Sequence, residues 1–168
     1  MIVIEKKISP DMVDKAVSKA IQMGQLNNSI TKGKGNISGF LGEEIVKNFL
    51  HAEEKNSYDY DIVLPNKKTI DVKTKRTTVK PKKFYECSIA AYNIKQKCDF
   101  YIFCRILNDM SKGWVLGYME KEEYFNKATL LKKGQVDPSN NFTVKADCYN
   151  LPISKLRTDW EELNALDV

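Results

Sequence analysis

The chain has 168 residues, enough for one compact domain with a real core and barely enough for two. Its hydrophobic fraction of 42% is ordinary, no apolar run reaches membrane-span length, and residues 1–20 lack a signal-peptide core, so a soluble, intracellular, cytoplasmic protein is expected. The net charge is +5, the single histidine is His51, and the four cysteines (Cys87, Cys98, Cys104, Cys148) form no C-x-x-C pair, which argues against a cysteine/histidine zinc site and a serine triad.

Residues 2–8, IVIEKKI, predict a short strand. Ser9, Pro10 and Asp11 then supply a cap, a proline at the first helical position and an acid in the first turn. Met12, Val13, Ala16, Val17, Ala20 and Ile21 recur at helical spacing, so a helix is expected to about Met23. NNSITKGKGNISG, residues 27–39, is polar and lacks the spacing of a nucleotide-binding P-loop; it reads as a linker or as a loop that follows a nucleic-acid backbone. A second helix is expected from about Ser38 to Ala52.

Strands follow near 59–64, 69–76 and 84–90, then a short helical stretch near 91–97. DFYIFCRI (99–106) and GWVLGYM (113–119) predict two more strands, followed by a short helix over 121–128. A strand around 142–149 and a helix carrying Leu156, Trp160 and Leu163 complete the chain. Three of the cysteines sit in apolar segments and read as buried free thiols. Tyr85, Tyr92, Phe100 and Tyr101 are expected in the core, Trp114 and Trp160 in the core or at an interface, and Lys145 and the acidic DWEEL on the surface. No repeat or domain boundary stands out. The expectation is a single α/β domain over 1–168, with an N-terminal strand, helix and basic loop (1–37), a core (38–107) and C-terminal strands and helices (108–168).

Charge is unevenly spread. Residues 66–83 hold seven lysines and one arginine against a single acid, Asp71. Such a run is either a solvated face or a phosphate-binding surface.

The acids carry more information. In the helix SGFLGEEIVKNFL, Leu41, Ile45, Val46, Phe49 and Leu50 define one apolar arc. Gly42 lies inside it, allowing close approach to a sheet. Glu43 lies at its edge and Glu44 nearly opposite, towards water. In TIDVKTK, alternation puts Asp71, Lys73 and Lys75 on one strand face and Ile70, Val72 and Thr74 on the other. A two-residue loop at 66–67 would set Asp61 opposite Val72. A three-residue loop at 65–67, or a bulge, brings Asp61 to Asp71. Two adjacent carboxylates repel unless a cation lies between them, and all-oxygen ligands suit Mg²⁺ or Mn²⁺. Lys73, on the face of Asp71, is placed to orient water and offset charge on a reacting phosphate.

This constellation resembles the PD-(D/E)XK nuclease superfamily, which includes type II restriction enzymes and archaeal-type Holliday-junction resolvases. GFLGEE resembles the family's helix with its Gly-Glu pair, DYDIV its aspartate-led strand, and DVK its (D/E)XK triplet. Tyr60 stands where the family usually has proline, and Asp59 shares the strand parity of Asp61 and competes for its role. The resemblance covers roughly residues 38–107. It implies a restriction-endonuclease-like αβββαβ core with a central mixed sheet flanked by helices. It further implies catalytic residues Glu43, Asp61, Asp71 and Lys73, and a Mg²⁺ (or Mn²⁺) ion held by Glu43, Asp61, Asp71 and the carbonyl of Val72.

The function so implied is metal-dependent endonucleolytic cleavage of DNA. Lys75, Arg76, Lys80, Lys82 and Lys83 would hold the backbone, and a homodimer would pair two sites. NIKQK adds Asn93, Gln96 and Lys97 as polar contacts of the kind relatives keep. The alternative is a non-catalytic nucleic-acid-binding module that uses the same basic hairpin. A third reading is a small interaction protein whose lysines only aid solubility.

Overall fold

The computed structural model describes residues 3–27, 34–138 and 141–165. The chain runs β1 (Ile4–Lys7), α1 (Pro10–Asn27), α2 (Lys34–Leu50), β2 (Glu53–Glu54), β3 (Ile62–Val63), β4 (Thr69–Thr77) and β5 (Glu86–Ala90). A 3₁₀ turn (Ala91–Lys95) leads to β6 (Phe100–Leu107), β7 (Lys112–Glu120), α3 (Lys121–Lys127), β8 (Thr129–Leu131) and β9 (Cys148–Pro152). A second 3₁₀ turn (Ile153–Lys155) precedes α4 (Trp160–Asn164). The fold is α/β. A mixed six-stranded sheet has the order β1-β7-β6-β4-β3-β2, and a second sheet the order β5-β9-β8. Among the described residues no helix is long and apolar enough to cross a membrane.

Helix α1 begins as its sequence dictates: the Met12 N–H donates to Ser9 Oγ (3.3 Å), and Pro10 needs no donor partner in the first turn. It runs to Asn27, beyond the expected Met23. Helix α2 begins at Lys34 rather than Ser38, because Ile37 already packs on the core and Ser38 is itself buried. Residues 28–33 of the expected linker, and with them its reading as a backbone-following loop, lie outside the described residues. Helix α2 stops at Leu50, where His51 takes a left-handed conformation (φ 54°) and turns the chain into β2, a strand that local pattern did not announce.

Strand β4 is the spine. It pairs antiparallel with β3 and parallel with β6. On one side, Leu41, Ile45, Val46 and Leu50 of α2 pack on Ile70, Val72, Ile102, Cys104 and Ile106. On the other, Tyr101, Phe103, Trp114, Leu116 and Met119 pack with Cys87 and Ile89 of β5 and Tyr124 of α3. The sheet is therefore covered on both faces, and the cover differs: helices on one, the second sheet and α3 on the other.

Several expectations are corrected. The strand expected at 84–90 is not a member of the central sheet. Residues 78–85, with Pro81, carry the chain away from β4, so β6 takes the neighbouring place and β5 pairs with β9. The strand expected over 142–149 forms as β9, Cys148–Pro152, because its ladder is set by β5 and β8. The C-terminal helix is confined to Trp160–Asn164, since Arg157 is held in a bridge to Tyr118 and Leu156 precedes the helix. Tyr92, expected in the core, is 69% exposed on its 3₁₀ turn. Cys87, Cys98 and Cys104 are buried free thiols and Cys148 is half-buried. Burial pushes the Cys87 and Cys98 thiols up to about 12 and about 11, so neither is a thiolate at neutral pH.

Candidate functional site

The hairpin between β3 and β4 sets the geometry. The Leu64 N–H donates to the Lys68 carbonyl (2.9 Å) and the Lys67 N–H to the Leu64 carbonyl (2.8 Å), which makes a three-residue loop at 65–67. Lys67 takes the left-handed conformation this loop needs (φ 75°). Ile62 is in register with Ile70, and the Asp61 N–H also donates to the Ile70 carbonyl (2.9 Å). Two residues thus oppose one, the count of a β-bulge. At that point β3 leaves the sheet, and the Asp61 side chain takes over the ladder: its Oδ2 accepts the Val72 N–H at 2.8 Å. The carboxylate of Asp61 therefore stands in the plane of the sheet, at the open edge of β4.

That position lets two faces of the sheet meet. Asp71 lies on the face covered by Tyr101 and is buried. Glu43 comes from α2 on the other face, where a Cβ added to Gly42 would stand 2.0 Å from Thr74 Oγ1. Only a glycine permits so close a seat for the helix on β4. Asp61, between them, is within hydrogen-bonding reach of Glu43 and of Asp71.

Three carboxylates drawn out of water cannot all stay charged cheaply. Burial raises the affinity of Asp61 for its proton, and the charges of Asp71 and Glu43 raise it further, to about 9. Burial likewise raises Glu43, opposed by its hydrogen bond with Asp61 and by Lys19, and raises Asp71, opposed mainly by Lys73. Burial and mutual repulsion together favour retention of a proton within the cluster, shared among the three carboxyls.

Lys73 Nζ stands 2.9 Å from Asp71 Oδ2 as an ion pair without hydrogen-bond alignment, which leaves this buried oxygen with unused acceptor capacity. The same ammonium lies over the Tyr101 ring, 5.7 Å from its centroid. Among the described residues no three histidine, cysteine, aspartate or glutamate side chains stand in a ready-made metal-holding arrangement. The donor set nevertheless fits a hard divalent cation: all ligands are oxygen, the carboxylates are mutually repulsive, and Asp71 Oδ2 is under-used.

Gln96 is the residue that local reading underweighted. It is buried; its Nε2 donates to Asp71 Oδ1 (3.2 Å) and to the Tyr58 carbonyl (3.0 Å), and its Oε1 accepts from Tyr101 (3.3 Å). Its side chain thus fixes the rotamer of Asp71. The signal in the sequence was only a polar residue in NIKQK. Asp59 does not compete with Asp61, because its Oδ1 accepts the Lys97 N–H (3.0 Å) and anchors the chain before β6. Glu44 pairs with Lys47 (2.8 Å) rather than reaching the site.

The five cations expected on a phosphate backbone are not one stripe. Lys80, Lys82 and Lys83 are exposed on the connection after β4, and Arg76 is exposed on β4 itself. Lys75 differs: it is half-buried on the face of Asp71 and Lys73, with its ammonium on the Glu86 carbonyl (3.3 Å). In comparison with known proteins, the sequence matches no protein-family model and no curated protein.

Proposed function

We propose that the chain is a metal-dependent endodeoxyribonuclease that hydrolyses DNA phosphodiester bonds. Its core is restriction-endonuclease-like, with the strand of residues 86–90 displaced into a second sheet. One observation carries the reading: Glu43, Asp61 and Asp71, from a helix, a bulge and a strand, are gathered at one open sheet edge with Lys73 paired to Asp71. A purely structural core gains nothing from three such acids, and a phosphate-binding surface is weakened by them.

Glu43, Asp61, Asp71 and the Val72 carbonyl would hold Mg²⁺ or Mn²⁺, which supplies charge neutralisation and Lewis acidity towards a phosphoryl oxygen. Asp61 must give up its proton to serve as a ligand, and Glu43 and Asp71 are placed to share it on the way. Gln96 holds Asp71 in one rotamer. Lys73 orients the attacking water and offsets the negative charge that grows on the phosphate. Lys80, Lys82 and Lys83, with Arg76, steer the backbone, and two copies as a homodimer would cut both strands.

The test is incubation with supercoiled, linear and branched DNA, with Mg²⁺, with Mn²⁺ and with chelator. Nicking or linearisation that depends on the metal is expected. DNA binding with no cleavage of any form under either metal would hand the protein to the rival reading, a nucleic-acid-binding module without catalysis.

A further inference from the structure

Beside the acidic cluster lies a groove of about 680 Å³, a volume within the range of small-ligand sites. Lys75 and Arg105 line it, and they are direct partners across β4 and β6. Lys75 Nζ and Arg105 Nη2 both donate to one neutral acceptor, the Glu86 carbonyl, at 3.3 and 2.9 Å. Among the described residues neither forms an ion pair. Burial, and for Lys75 the charge of Arg105, lowers the proton affinity of both, and the nearby charge of Glu86 offsets this only in part for Lys75. Arg105 is stacked over Tyr85, 5.3 Å from the ring centroid, and is thereby held ready.

Three acids also line the groove: Glu86, whose charge acts on Lys75, and two that are engaged elsewhere. Asp147 accepts the Lys133 N–H (2.8 Å) and Lys132 Nζ (3.4 Å), and Asp137 accepts from Asn150 (3.2 Å). Their charge disfavours a polyanion in the pocket and leaves room for a single phosphate on the Lys75–Arg105 pair. The rim adds two exposed aromatic side chains: Phe84 (68% exposed), whose ring packs edge-on against Tyr85 and lies under Lys82 Nζ at 5.9 Å, and Phe142 (53%). An exposed ring beside a cation pair is what a stacked base requires.

The groove adjoins a second, smaller space that reaches Lys73. A small cavity of about 80 Å³ is lined by Lys73, Lys75 and Arg105 together. Lys73 and Lys75, two positions apart on one strand face, stand roughly 6.6 Å from each other along β4, comparable to the step between neighbouring phosphates in an extended strand.

We propose that this groove holds one nucleotide of a single-stranded segment, next to the phosphate at Asp71 and Lys73. Its phosphate rests on Lys75 and Arg105, and its base lies against Phe84 and Phe142. The proposal rests on the nuclease reading for the direction of the strand, and it is tested apart from it.

The probe is fluorescein-labelled hexathymidylate, followed by anisotropy on the Asp71→Asn protein with chelator present, so that no cleavage intervenes. Phe84→Ala and Phe142→Ala, both at exposed positions where the fold should survive, should each weaken binding roughly 5- to 100-fold. Inorganic phosphate should compete equally well against both variants and the parent. Lys75→Met, checked for an unchanged circular dichroism spectrum, should weaken the oligonucleotide and phosphate alike. Unchanged affinity in both phenylalanine variants would overturn the proposal, as would a duplex of equal length binding as tightly as the single strand. Thymidine monophosphate competing at the concentration of the oligonucleotide would reassign the groove to free nucleotides and overturn the strand. Cleavage by the unmodified protein is scored separately: cleavage without groove binding rejects the groove alone, and groove binding without cleavage rejects the enzyme alone.

Discussion

At Asp71 one face of β4 carries carboxylate out of water; at Lys75, four positions and roughly 13 Å further along the same face, it carries cations out of water. The two regions relieve the same physical problem by different means. The acids can take up protons, and Asp61 does so, its carboxyl pushed up to about 9. Arginine cannot discharge near neutral pH, so Arg105 and its neighbour Lys75 share the Glu86 carbonyl. The acidic end therefore sheds charge by protonation, and at the basic end two cations share one neutral acceptor. A phosphodiester strand lying along β4, bound together with a divalent cation at the acids, would meet both needs in one bound geometry.

The largest effect that separates the two ends is on chemistry. Asp71→Asn removes one charge and almost no volume, and its Oδ1 can still accept from Gln96, so the fold should persist. Metal-dependent cleavage should fall on the order of 10²–10³-fold, while DNA binding without metal holds or strengthens. Lys73→Ala should lose cleavage to a similar extent and keep Mn²⁺ binding, followed as a metal-induced rise in Tm. Equal cleavage by Asp71→Asn and the parent would move the chemistry away from this cluster altogether.

Next comes the seat of α2. An alanine Cβ at position 42 would stand 2.0 Å from Thr74 Oγ1 and 3.1 Å from Thr74 Cβ, so helix and strand must part. Gly42→Ala should cost about 1–3 kcal/mol, seen as a Tm lowered by about 2–4 °C per kcal/mol. Because Glu43 rides on the same turn, cleavage should fall with it, while binding of hexathymidylate in the groove stays unchanged. Thr74→Ala in the same chain should restore much of both, since it removes the hydroxyl that is struck. An unchanged Tm in the single variant would show that α2 is not held by this contact.

How much of this was legible follows the range of the interactions. The alternation of Asp71, Lys73 and Lys75 on β4 and the apolar arc of α2 with Gly42 inside it are set by neighbours in sequence, and the pattern carries them, whereas the choice between a two- and a three-residue loop after β3 is made by the pairing of Leu64 with Lys68. The bulge at Asp61 depends on its N–H meeting the Ile70 carbonyl across the hairpin, a contact that the local pattern permits without specifying. The placement of β5 depends on Cys87 finding Leu151, 64 positions away, and no local period encodes that choice. The same distance hid the groove. Lys75 reads as one more cation in a basic run, and Arg105 as one polar residue in an apolar strand, until the parallel register of β4 and β6 makes them partners. Gln96 was hidden similarly, since its importance lies in Asp71 and Tyr101 rather than in its own surroundings in the chain.

A smaller effect sharpens the claim that the acidic end sheds charge by protonation. Asp61 in the folded protein holds its proton to about pH 9, against 3.8 for an ordinary aspartate. A group whose folded pKa is raised contributes stability that is fully present below the unfolded value and is lost as pH rises through the folded one. Metal-free protein should therefore weaken steadily between about pH 4 and pH 9. Asp61→Asn, whose amide oxygen can still accept the Val72 N–H, escapes that loss. Its Tm should match or trail the parent near pH 4 and exceed it increasingly towards pH 9. With Mn²⁺ the order should reverse, because the parent alone gains a ligand from deprotonation, and its apparent metal affinity should rise with pH. A Tm difference that ignores both pH and metal would mean that Asp61 does not feel its carboxylate neighbours.

The smallest effect concerns the exposed cations, and it tests whether they act differently from the pair in the groove. Lys80, Lys82 and Lys83 stand in solvent on the connection after β4. Their contribution to duplex binding should be release of counterions, without base contacts. Each phosphate contact adds about −0.9 to the slope of log K against log salt concentration. The triple Lys→Ala variant at these positions should therefore flatten the slope by roughly 2.7 while leaving hexathymidylate binding at high salt nearly unchanged. Lys75→Met should do the opposite: it should flatten the duplex slope by less than about one contact and weaken the single strand at every salt concentration, because its partner phosphate is held away from solvent. If the triple variant leaves the slope intact, those three lysines are a solvated face and the backbone is gripped elsewhere. If Lys75→Met and the triple variant behave alike, the distinction between a steering surface and a binding groove fails, and β4 carries a single continuous basic patch beyond its acids.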